Sequence, residues 1–152
     1  MKRVALAASI LLAACAGAAM KPTTPEIAER QELMRSNKAA LTELGRLVSG
    51  EAAWNGEAAV RYAGTLMNNT VMIPAKTEKG TGGESGRTRA RPEIWPDWDN
   101  FLAAAEKLED ESKAVLDLAM ANNEAGARAR FASAEKACDA CHTRFMLPEF
   151  PR

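Results

Sequence analysis

Five residues near the end of the chain have the types and spacing for chemistry: Cys138, Asp139, Ala140, Cys141 and His142. On a helix, two thiols separated by two residues share one face, and the imidazole beside the second lies four residues from the first. Each thiol is then placed to form a thioether with a vinyl group of a haem, and the imidazole to approach the iron, the pattern of c-type attachment. His142 is the only histidine in the 152 residues, so a proximal ligand has no competitor. Other chemistries fit this box less well. A thioredoxin-like pair opens a helix within a βαβ unit, whereas this one closes the last helical pattern of a chain without evident strands. A structural zinc needs four ligands, and no second cysteine pair completes the shell. A disulfide across two intervening helical residues would strain its geometry.

The rest of the chain has to position that box. Its length fits one domain, and a composition rich in alanine but only 5% aromatic favours close-packed helices. Lys2 and Arg3, an apolar run from Val4 to Ala14 and small residues after it match a secretory signal, too short for a transmembrane span. The domain reading is therefore a signal over 1–19, a tether over 20–25 and a haem domain over 26–152, located in the periplasm. Cys15, in Leu12-Ala13-Ala14-Cys15, resembles a lipobox cysteine that would become a lipidated N-terminus; the competing reading is cleavage after Ala18 or Ala19, which discards it. Formal charge is zero, and slightly acidic once Lys2 and Arg3 are removed. No nucleic-acid partner is expected.

Four helical patterns follow. Thr24-Pro25-Glu26 starts the first, which runs to about Ser49-Gly50. Its inner stripe of Ile27, Met34, Leu41 and Val48 has Arg30, Asn37 and Leu44 as companions. Two polar residues flanking Met34 on a buried face fit the lining of a cofactor pocket. The second pattern starts near Asn55 and ends near Asn69. The long segment from Val71 to Pro92 carries Lys76, Lys79, Arg87, Arg89 and Arg91 against Glu78 and Glu84. It reads first as a solvated loop; the functional alternatives are an arginine on a haem propionate or a docking site for a redox partner. The third pattern opens with Pro96 at its first position, has an apolar spine of Phe101, Leu108 and Val115, and presents Glu106, Glu109, Asp110, Glu111 and Asp117 as a solvated acidic face. Asn122-Asn123 ends it and caps the fourth, whose inner stripe is Phe131, Ala134, Cys138, Cys141 and Phe145. The predicted fold is all-α, an antiparallel up-down-up-down four-helix bundle with haem at one pole. That order brings the start of the first helix to the pole of the box.

At this point the chain resembles the cytochrome c′ family of four-helix-bundle c-type cytochromes. The likeness rests on Ala137-Cys138-Asp139-Ala140-Cys141-His142 with Phe145 following, on Arg91-Pro92-Glu93-Ile94-Trp95, and on Arg30 through Asn37. It implies one haem c per chain. High-spin members carry a non-coordinating residue over the open iron face and bind NO or CO there, whereas low-spin relatives place a methionine at that position as sixth ligand. The matching residue is Met34, so the resemblance implies His142/Met34 ligation and electron transfer, with Arg30 as propionate partner and Asn37 in the pocket. The alternative is a five-coordinate gas-binding protein. No enzymatic activity is expected.

Among the seven methionines, Met1 and Met20 precede the domain and Met146 lies on the proximal side. With a rise of about 1.5 Å per residue, Met120 lies most of a bundle length from the haem pole. Met67 and Met72 remain as rivals to Met34. Family members also carry a basic residue directly after the aromatic that follows the haem box. Here Met146 stands there, leaving Arg144 as the candidate for its electrostatic role. The partners implied are a periplasmic redox protein, a membrane only through a lipidated Cys15, and a homodimer through the first helix.

Overall fold

The computed structural model describes residues 23–149. The predicted signal, Cys15 and Met20 lie outside them. Four helices follow in order, α1 Pro25–Ser49, α2 Gly56–Met72, α3 Trp98–Met120 and α4 Glu124–Phe145, with a short 3-10 turn at Pro92–Ile94. Sequence neighbours pack side by side, and α1 also touches α4, giving the expected bundle. No helix among the described residues is long and apolar enough to cross a membrane.

Local chemistry fixes most helix ends. The Thr24 hydroxyl accepts from the Ile27 amide with Pro25 next in line, and Gly50 closes α1 in the left-handed region at φ 82°, where a Cβ would be strained. Asn55 and Asn123 cap α2 and α4 through their side-chain oxygens. Two boundaries differ from expectation. α2 continues through Val71 and Met72, and α3 begins at Trp98 rather than Pro96. The 3-10 turn and the residues after it fold Trp95 inward, so the chain can turn helical only beyond Asp97. That carboxylate does not cap its own helix but accepts from Asn100 and Arg144.

The core has two parts. One, away from the haem box, is built on Leu44, Leu47, Leu66, Val115 and Phe131 with small alanines between them. The other joins Ile73 at the end of α2, Ile94, Phe101 at the start of α3, and Ala137 and Phe145 on α4; Met34, Trp95, Cys138 and Cys141 pack against it. This second cluster is the pole that helix counting predicts for the haem. Phe101 anchors it, edge-on to Phe145 with ring centroids 5.4 Å apart and 5.1 Å from Trp98.

Glu111 departs from the solvated acidic face. Its side chain is only 3% exposed and sits between Lys107 at 2.6 Å and Arg130 at 2.6 Å, tying α3 to α4. Its spacing from Leu108 and Val115 places it on the inner stripe, and the two cations make burial of the carboxylate tolerable. These contacts hold its pKa below the usual range, the Lys107 hydrogen bond foremost.

Candidate functional site

The last turns of α4 carry the chemistry. Cys138 and Cys141 are free thiols, half-buried on the face toward Phe101 and Phe145. Burial raises both above the ordinary thiol value. Cys138 is pushed up to about 11, with further contributions from Asp139, Cys141 and Glu135. They are therefore neutral thiols set against an apolar wall. His142 is held below its ordinary value by burial first and then by the Arg89 cation, with Asp139 opposing. Its imidazole is thus neutral near pH 7 and can offer a lone pair to a metal.

The residues after the box are held by the segment that precedes α3. Ala90 and Met146 form an antiparallel bridge, the Arg91 amide donates to the Phe145 carbonyl and the Leu147 amide to that of Arg89. Arg89 donates to the Leu147 and Pro148 carbonyls, both at 2.7 Å, and Arg91 to that of Met146 at 3.0 Å. Arg144 is engaged elsewhere: it pairs with Asp97 at 2.6 Å and lies over the Phe145 ring. The cation acting on His142 is therefore Arg89, reaching in from the loop, and not Arg144.

Of the described methionines, only Met34 packs with the cluster of the two cysteines. Met72 is 43% exposed and Met120 60% exposed. Met67 belongs to neither cluster, and Met146 lies in the bridge beyond the box. Asn37, one turn after Met34, keeps a buried side-chain oxygen with no hydrogen-bond partner in the protein. Such an atom calls for a partner from outside the chain. Arg30 is 6% exposed and directed into the loop between α2 and α3. One terminal nitrogen donates to the Lys76 carbonyl and the Thr81 hydroxyl, the other to the Thr81 carbonyl and the Thr88 hydroxyl, at 2.8–3.0 Å.

That loop is not the solvated segment expected. Thr77, Thr81 and Thr88 are buried, and the Trp95 indole N–H donates to the carbonyls of Thr77 and Glu78. Sequence reasoning missed Arg30's loop partners and Arg89's reach. The only available signal was the run of threonines among glycines, small hydroxyls able to accept a buried guanidinium.

Two neutral thiols on one helical face with a neutral imidazole next to them could hold a c-type haem, and the Met34 side chain packs in the same apolar cluster. No group of three or more His, Cys, Asp or Glu among the described residues is arranged to hold a metal ion by itself. Fold and site together define a four-helix-bundle haem protein.

The family model described as Cytochrome C′ matches residues 25–146. The chain is 27% identical over 148 residues to cytochrome c-556 of Agrobacterium fabrum, covering 97% of each. It is 28% identical over 116 residues to cytochrome c′ of Pararhodospirillum photometricum, covering 76% of this chain and 91% of that one. A nitric oxide complex of a cytochrome c′ variant from Alcaligenes xylosoxidans superposes with a TM-score of 0.75 at 22% identity, over 82% of this chain and 94% of that one. The chain belongs to the cytochrome c′ family, and its cofactor is haem c.

Proposed function

We propose that this chain is a periplasmic electron-transfer cytochrome in which Cys138 and Cys141 hold one haem through thioethers, His142 is the proximal ligand and Met34 the distal ligand. The observation that carries the reading is the position of Met34, alone among the described methionines, in the cluster of the two cysteines. Haem c supplies a one-electron iron couple. The chain supplies a neutral imidazole, a soft thioether that favours ferrous iron and raises the potential relative to bis-histidine ligation, and an apolar wall that excludes water. With His142 and Met34 both bound to the iron, no position would be left there for a substrate. We therefore assign it no enzymatic activity of its own and a protein redox partner in the same compartment, with membrane attachment only through a lipidated Cys15 and a homodimer through α1 as the family likeness implies. Asn37, with its unpartnered amide oxygen, belongs to the same pocket. A propionate contact for Arg30 rests on the family likeness alone, because both its terminal nitrogens have partners in the loop.

A second reading has its own support: a five-coordinate iron that binds NO or CO, with Met34 covering an open distal face. The family likeness favours it, as does the structural relative that is itself a nitric oxide complex. The comparisons weigh toward gas binding; the residue at position 34 weighs toward ligation. Carbon monoxide binding by the ferrous protein tests the choice. Ligation predicts that wild type resists CO and that Met34→Ala binds it readily. Equal, rapid binding by both establishes the gas-binding reading.

A further inference from the structure

We propose that Arg30 is a positioning residue for Met34, acting through a strap formed by residues 76–91 that links the distal helix to the segment following His142. The inference rests on the reading in which Met34 coordinates the iron.

Arg30 and Met34 are one turn apart on α1, so they share a face and rotate together. The Arg30 guanidinium reaches three points along the strap, at Lys76, Thr81 and Thr88. The strap is in turn fixed to the core and to the proximal side. Trp95, which packs in the same cluster as Met34, holds its near end through the carbonyls of Thr77 and Glu78. Its far end is paired to the chain beyond His142 through Ala90–Met146 and through Arg89 and Arg91. The strap thus refers the rotation and depth of α1 to the element that carries the proximal ligand. Other side-chain ties between α1 and the loop are exposed: Gln31 to the Arg87 carbonyl and Lys76 to Glu29. Arg30 makes the buried one. A buried guanidinium with several acceptors in fixed directions locks a helix in a way a single exposed ion pair does not. A soft thioether ligand depends on such support, since ligand geometry is held by the residues behind it.

The test uses haem-loaded full-length protein and compares wild type, Arg30→Lys, and the double variant Thr81→Val with Thr88→Val. Lysine keeps the positive charge but cannot reach four acceptors. The valines remove two acceptors and leave Arg30 in place. Positioning predicts that both variants gain ferric high-spin character, lose methionine–sulfur charge-transfer absorption and bind CO about tenfold faster, the ratio carried by one lost charge-assisted hydrogen bond. Should Arg30→Lys fail to incorporate haem, the valine pair decides. If the valine pair keeps the wild-type spectrum and CO rate, the strap does not position Met34 and the inference is overturned. Failure of the underlying ligation reading is separately visible, as a high-spin ferric spectrum in wild type itself, and it removes the inference with it.

Discussion

Two adjacent glycines in the strap should respond to alanine with opposite signs. A Cβ on Gly82 would lie 2.7 Å and 2.9 Å from two carbons of the Trp95 ring and close to the Glu84 carboxylate, whereas one on Gly83 meets nothing within 4 Å. Neither glycine has the left-handed backbone that forbids a side chain. Replacing glycine by alanine without strain stabilises by about 0.4–1 kcal/mol through the unfolded chain, and that is the expectation for Gly83→Ala. At Gly82 the carboxylate can swing aside, but the half-buried indole packs against the core and is held by two strap carbonyls. Overpacking of this kind costs about 1–3 kcal/mol. Set against the same entropic gain, the net for Gly82→Ala is a loss of about 1–2 kcal/mol. With a urea slope near ~2 kcal/mol/M, its midpoint should fall by roughly 0.5–1 M while that of Gly83→Ala holds or rises. Equilibrium urea unfolding of the haem-loaded variants, followed by tryptophan fluorescence, reads both. Equal midpoints for the two variants would refute the packing of the strap on Trp95.

Phe101→Ala should destabilise by about 3–5 kcal/mol, because Phe101 is buried in the haem-pole cluster and packs against two aromatic neighbours; a loss under about 1 kcal/mol in urea unfolding would place it outside the core. Asp97 has its folded pKa depressed, first by the Asn100 hydrogen bond and also by Arg144. Its contribution is therefore present above the ordinary carboxylate value and lost as pH falls through the folded one. Asp97→Asn should lower stability at neutral pH and narrow the gap between neutral and acid midpoints, and an unchanged gap contradicts the assignment.

How much of this was legible depended on whether the determining contacts were local. Thr24-Pro25, Gly50, Asn55 and Asn123 act within a few residues of themselves, and they set the helix ends at or near the expected places. The cofactor and the family were legible because the spacing of the box is itself the chemistry. The strap was not, since Arg30 meets acceptors 46 to 58 residues away and no local pattern announces them. Glu111 is a different case: its inner-stripe spacing was available, but the run of acids around it suggested a solvated face. Trp95 shows a third limit: its ring packs against the core through contacts distant in sequence, and α3 starts past Pro96.

The central claim is that Met34 occupies the sixth coordination position of the haem iron, and the visible spectrum of ferric wild-type protein tests it most directly. Ligation predicts a low-spin spectrum with methionine–sulfur charge-transfer absorption that Met34→Ala abolishes. A high-spin spectrum without that band in wild type would contradict the account and leave the gas-binding reading in its place.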